Sequence, residues 1–157
     1  MEPIKTVEFE RTYDAPVDKV WDAWTDPEKL KQWWGPNDVT IPECEVDLRV
    51  GGRIYIVMEA GEAMGPIKGT RWPMDGKFTE IEVSSKLVYE VKAWTVGDEE
   101  DTEINQTQVL TFSEEGGKTK MSLSVTVHKI GPKAGGAIEG MNYGFNQQFD
   151  KLEQFLK

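Results

Sequence analysis

The sequence predicts an α+β fold: an antiparallel sheet of about seven strands, two short helices after the first strand, and one long C-terminal helix lying across a sheet face. Three observations predict it. Apolar and polar residues alternate with a period of two in the opening segment and again through most of the chain after Val39. One stretch, Ile138 to Leu156, spaces its apolar residues by three or four instead. Glycine pairs and polar clusters interrupt the alternating segments, as turns between neighbouring strands require.

Val7, Phe9, Arg11 and Tyr13 alternate with Glu8, Glu10, Thr12 and Asp14, which predicts a half-buried strand over about residues 4–13. Pro16 suits a first helical turn, and Val17, Val20, Trp21 and Trp24 recur at i, i+3, i+4 and i+7, so a short helix runs to Thr25. Asp26-Pro27-Glu28 combines a side-chain cap, a proline at the first helical position and an acid facing the helix dipole. That second helix is expected to bury Leu30, Trp33 and Trp34 and to stop at Gly35-Pro36. Strands follow at about 39–47, 52–59, 76–83, 86–95 and 104–113, broken at Gly51-Gly52, Ser84-Ser85 and the acidic run Asp98-Glu99-Glu100-Asp101. After Gly116-Gly117, Met121, Leu123, Val125 and Val127 alternate with Ser122, Ser124, Thr126 and His128, a strand with one apolar and one polar face. Ile138, Met141, Phe145, Phe149, Leu152 and Leu156 then mark an amphipathic helix of some 20 residues.

The chain has 157 residues, enough for one domain with a sizeable core, and neither a linker nor an internal repeat divides it. Its 38% apolar content and 16 aromatic residues, six of them tryptophan, exclude a disordered chain. A net charge of −10, with the basic residues scattered singly, argues against nucleic acid and anionic membrane surfaces as partners. One cysteine, Cys44, and one histidine, His128, leave neither an internal disulfide nor a zinc site built of those residue types alone. No stretch is apolar enough to span a bilayer, and Met1-Glu2-Pro3-Ile4-Lys5 lacks the basic start and apolar run of a leader, so a cytoplasmic protein is expected.

The stretch from Arg11 to Pro36, RTYDAPVDKVWDAWTDPEKLKQWWGP, resembles the opening signature of the homologues of the activator of the 90-kDa heat-shock protein ATPase. Asp47-Leu-Arg-Val-Gly-Gly52, Gly76-Lys-Phe-Thr-Glu-Ile81, Gly144-Phe145 and Leu152 look like the same family, so the resemblance covers nearly the whole chain. It implies the helix-grip fold of the START and birch-allergen superfamily, in which a curved sheet wraps a long helix and often encloses an apolar cavity. That superfamily includes lipid and hormone carriers, aromatic polyketide cyclases, antibiotic-sequestering proteins and co-chaperone domains, so fold does not by itself assign an activity.

The function expected is binding of a small hydrophobic or aromatic molecule, without metal or organic cofactor, in a cleft between the long helix and the concave sheet. Candidate lining residues are Trp33, Trp34, Ile54, Ile56, Met58, Trp72, Phe78, Tyr89, Val91, Met121, Met141 and Phe145, each of which ordinary core packing would also explain. Gly140 and Gly144 bare one face of the long helix, either for close packing on the sheet or to leave room for a ligand. The connection Ala60 to Asp75, with Met64, Ile67, Trp72 and Met74, could fold over a pocket mouth as a lid or form a loose hairpin loop. An alternative partner is a heat-shock chaperone, against which stands the expectation of a lone domain without the extra N-terminal domain of full-length activators. A second alternative is a cyclase or hydratase, for which Tyr89, Tyr143, Arg11 and Gln108 are the polar candidates.

Other chemistries fare worse. His128 falls on the polar face of its strand, with no nucleophile placed beside it by spacing, and Cys44 has no adjacent basic residue to lower its pKa. Glu43, Glu45 and Asp47 share a strand face but lie too far apart to converge on one cation unaided. Gly117-Lys118-Thr119 looks like the end of a phosphate-binding loop, yet Phe112 stands where that motif needs glycine, so a hairpin turn is expected.

Overall fold

The computed structural model describes residues 4–157; Met1-Glu2-Pro3, read above as part of a chain start without a leader, lies outside the described residues. Seven strands form one antiparallel sheet: β1 (Lys5–Tyr13), β2 (Val39–Val46), β3 (Arg53–Ala60), β4 (Arg71–Glu82), β5 (Lys86–Ala93), β6 (Ile104–Glu115) and β7 (Lys118–Ile130). Their spatial order is β1-β7-β6-β5-β4-β3-β2, so every neighbour except β7 on β1 is also a neighbour in sequence. Helices α1 (Val17–Thr25) and α2 (Pro27–Leu30) follow β1, a short α3 (Glu99–Thr102) stands between β5 and β6, and α4 (Gly135–Phe155) closes the chain. The sheet curves around α4, the α+β helix-grip arrangement.

The expected elements are present, with three corrections. Helix α2 is one turn, ending at Leu30, and Trp33 and Trp34 follow in a tight turn whose amides still reach the Leu30 carbonyl at 3.3 and 3.1 Å. Asp26 caps it by accepting from the Glu28 N–H at 2.9 Å. Gly35 then takes φ +84, where a Cβ would sit 2.8 Å from Val39 Cγ2; only glycine fits this stop. Strand β4 begins at Arg71, not at residue 76, because Arg71 to Asp75 pair with Glu59 to Tyr55 of β3. Trp72-Pro73-Met74 is therefore sheet, and the lid expected over Ala60–Asp75 shrinks to a tight connection containing a 3-10 helix at Glu62–Ile67. Finally, α3 forms in the acidic run, where Thr102 Oγ1 donates to the Asp98 carbonyl and accepts from the Thr95 N–H.

Between β6 and β7, Gly116 and Gly117 both have positive φ, the geometry of a two-residue hairpin turn, which disposes of the phosphate-loop likeness. The core packs α4 and α1 against the inner face. Phe9 of β1 meets Phe145 and Phe149 of α4 at centroid distances of 5.1 and 5.7 Å, Tyr13 donates to the Phe149 carbonyl, and Trp21 stacks edge-on to Phe112. Trp24, Trp33 and Trp34 form an edge-to-face cluster beside them. Among the described residues no helix is long and apolar enough to cross a membrane.

Burial raises the pKa of both Tyr13 and Tyr89, the latter fully buried, so each keeps its proton in the folded state beyond the pH at which a free tyrosine ionises, about 10. The folded state then binds more protons than the unfolded one above about pH 10, and stability, fully present below that, falls as pH rises, by about 1 kcal/mol per pH unit for each residue. Urea midpoints at pH 8 and pH 11 should differ less in Tyr89→Phe than in the parent chain. An unchanged difference would mean that the Tyr89 hydroxyl does not drive alkaline unfolding.

Candidate functional site

The strand register decides where the interior is filled and where it is open. Across the sheet run rows of inward residues: Met58 beside Trp72; then Ile56, Met74, Ala93 and Ile104; then Ile54, Gly76, Val91 and Gln106; then Phe78, Tyr89 and Gln108. In the last row Phe78 lies edge-on to Tyr89 at 6.1 Å with both rings buried, and only Gln108 reaches the cavity. Toward the Met58 and Ile56 rows the helix side chains run out, and a cavity of about 450 Å³ opens between α4 and the sheet.

Of the twelve residues expected to line it, Trp34, Ile56, Met58, Trp72, Met141 and Phe145 do. The other six, Trp33, Ile54, Phe78, Tyr89, Val91 and Met121, are buried away from it. Trp33 donates to the Ala23 carbonyl at 3.0 Å, and Met121 Sδ accepts from Trp24 Nε1 at 3.2 Å, so both are committed to the packing between α1, α2 and the sheet. Parity along a strand assigns its inward face; what periodicity does not carry is distance along the strand. Residues outside those twelve add to the wall: Ala93, Trp94, Ile104 and Gln106 from the sheet side together with Met74, expected above in a connection over the pocket mouth, Pro36 and Val39 from the segment entering β2, and Ala137 and Gln148 from α4. Met64 adds the one contribution from the 3-10 connection.

Gly140 and Gly144 line the cavity, and a Cβ at either would meet no atom within 4 Å. Of the two readings of these glycines, close packing on the sheet is thereby excluded and open space remains. Three buried glutamines supply most of the polarity. Tyr89 Oη donates to Gln108 Oε1 at 2.5 Å, and Gln108 Nε2 donates to Gln106 Oε1 at 2.9 Å, a chain leading from the packed core to the wall. On the helix side Gln148 Oε1 accepts from the Gly35 N–H at 2.9 Å, while its Nε2 is buried without a partner.

The remaining polar candidates lie elsewhere. Arg11 pairs with Asp150 at 2.8 Å and with Asn146 on the outer side of α4, and Tyr143 is 72% exposed, so neither joins Tyr89 and Gln108 in a catalytic group. His128 is exposed at the end of β7, 2.9 Å from Thr107 Oγ1. Burial pushes the Cys44 thiol up to about 11, which leaves little thiolate near neutrality. Glu43 and Glu45 are engaged by Arg71 and Arg53 at 3.9 and 3.2 Å, and among the described residues no cluster of three or more His, Cys, Asp or Glu could hold a metal. Lys133, the one charged side chain of the lining, bridges Asp98 and Asp101 at 3.3 and 3.5 Å.

The family model described as "Activator of Hsp90 ATPase homolog 1-like protein" matches residues 14–157. Among solved structures, protein NE0264 from Nitrosomonas europaea is similar, with a TM-score of 0.75, 27% identity and coverage of 96% of this chain and 93% of its own. Protein CV1439 from Chromobacterium violaceum has a TM-score of 0.79, 20% identity and 96% coverage of each chain. Protein Ms6760 from Mycobacterium smegmatis has a TM-score of 0.77, 22% identity and coverage of 97% and 90%. At these identities the last two speak to the fold alone. No curated protein matches the sequence.

Proposed function

The chain belongs to the Activator of Hsp90 ATPase homolog 1-like family, and from that premise we propose that it reversibly binds a small hydrophobic or aromatic molecule between α4 and the sheet, in a cytoplasmic setting. The observation that carries this reading is the cavity itself: about 450 Å³, within the range of small-molecule sites, with apolar walls and helix backbone left bare at Gly140 and Gly144. A protein with nothing to bind there would gain stability by filling it. Leaving it open forgoes dispersion contacts on every lining side chain and helix propensity at two positions. Affinity would come from apolar surface removed from water, with Trp34, Trp72 and Trp94 offering flat faces to an aromatic guest and Met58, Met74 and Met141 adapting their shape to it.

The test is an amide NMR titration against fatty acids, sterols, flavonoids and polyketide-like aromatics. Saturable shifts at Trp72, Trp94 and residues 137–148, with the ligand recovered unchanged, are expected. A ligand present at a hundred times its dissociation constant would also stabilise the fold by about 2.7 kcal/mol. Absence of shifts across the panel would sink the reading. The family's description favours a second one, action on a heat-shock chaperone ATPase, for which the discriminating result is stimulation of that ATPase by the isolated chain.

A further inference from the structure

Among the glutamines of the cavity wall, the side-chain groups left without a partner are amide donors. Gln148 is 4% exposed, and its orientation is set by chemistry: the Gly35 N–H needs an acceptor, so Oε1 must face it at 2.9 Å and Nε2 is the atom left over. That amide N–H₂ is buried in the wall with no partner, a state that natural interiors rarely leave standing. From the sheet, Gln106 repeats the arrangement. Its Oε1 is taken by Gln108 at 2.9 Å, so what it can still offer is its own Nε2. The indoles of the wall can only donate. Cationic help is missing, because Lys133 is already neutralised by two carboxylates, and the chain as a whole carries −10.

Resting on the reading of the cavity as a binding site, we propose that its ligand is an uncharged apolar or aromatic molecule bearing an acceptor oxygen of the carbonyl type, and that Gln148 Nε2 is the group that seats this oxygen. A carboxylate would enter an apolar site without a free cation, in a chain of net negative charge, and would lose its hydration for little return. A pure hydrocarbon would fill the volume but leave Nε2 orphaned. A neutral ketone satisfies the donor while burying its rings, and sites built around a buried polar group discriminate strongly against analogues that cannot meet it.

Fluorenone, fluorene and fluorene carboxylate share one ring system and differ in this feature. Their dissociation constants should be measured by NMR titration on the parent chain and on Gln148→Glu and Gln148→Met. Gln148→Glu keeps an oxygen for the Gly35 N–H but loses the donor only when its buried carboxyl is ionised, so it is titrated at alkaline pH, and Gln148→Met removes both. The expected result is that the parent binds fluorenone about tenfold or more tighter than either analogue, and that both variants lose this preference while still binding fluorene. If one variant fails to fold, the other decides. Equal binding of ketone and hydrocarbon by the parent, tight binding of the carboxylate, or a ketone preference that survives in the variants would each overturn the assignment and leave the binding reading standing. Failure of all three probes to bind the parent would overturn the assignment, and the panel titration described above would then decide the binding reading separately.

Discussion

Replacing Gly144 by leucine is expected to weaken binding of any cavity ligand by about a hundredfold or more while leaving the fold intact. The reasoning runs through the space above the residue. A Cβ at 144 meets nothing within 4 Å and the residue lines the cavity, so an isobutyl group there is expected to occupy space the ligand would use. Excluding a ligand from part of its volume removes its contacts and its buried area together. The helix itself should benefit, since glycine in a helix interior costs about 1 kcal/mol against most other residues. Gly144→Ala separates the two effects: a single methyl should raise the melting temperature by a few degrees and change affinity little. The pair of measurements is calorimetric unfolding and ligand titration on the three proteins. A leucine variant that binds as well as the parent would place the ligand elsewhere.

Trp33→Ala should have the opposite signature, a loss of about 3–5 kcal/mol in unfolding free energy with the site geometry intact where the protein still folds. Trp33 is fully buried, packs edge-on to Trp24 at 4.7 Å and donates to the Ala23 carbonyl at 3.0 Å. Its removal leaves a void and an orphaned carbonyl, and both costs fall on a domain whose total stability is of order 5–15 kcal/mol. A drop in melting temperature of about 10 °C follows. Trp33→Phe, milder in its effect on packing, should bind ligand like the parent, because Trp33 faces away from the cavity. Loss of binding in Trp33→Phe without loss of stability would contradict the position assigned to it.

Trp33 also illustrates how far the sequence could be read. The i, i+3, i+4 spacing of Leu30, Trp33 and Trp34 makes all three interior, and they are, but adjacent tryptophans face different compartments and only Trp34 looks into the cavity. The strands tell the same story. Parity puts Ile54, Ile56 and Met58 on one face, yet the boundary between packed core and open space falls between the first and the second, set by how far α4 extends its large side chains over the sheet. That distance is tertiary and leaves no trace in a two-residue period. Other signals were present and could have been used. Gln106 and Gln108 share parity with Ile104, Leu110 and Phe112, and Gln148 interrupts the apolar stripe of α4 beside Phe149. An amide in an otherwise apolar row is a polar group the fold has placed inside, and it deserved weight equal to the aromatics. Arg71–Asp75 was missed as strand because Pro73 lacks an amide hydrogen, yet its carbonyl still accepts from the Trp94 N–H at 3.1 Å, and the ladder to β3 forms around it.

Helix α4 is held at both ends and at neither glycine. Near its start the amides of Gly131 and Lys133 bond the carbonyls of Glu103 and Asp101, and Ile138 is buried. Past its midpoint Gln147 and Gln148 accept from the amides of Asn37 and Gly35, and Lys151 Nζ reaches the carbonyls of Trp34, Gly35 and Pro36 at 3.2 Å each, far enough from water that its ammonium is held below its ordinary pKa. Mechanically this is a beam clamped at two abutments, and its slender section, with Gly140 and Gly144, is the part that spans the void. Load on such a beam is taken up by flexure at mid-span, without rotation at the supports. If the cavity takes a guest as proposed, one larger than the resting volume is expected to be met by bowing of the span around Gly140 and Gly144 while the two supports stay in place.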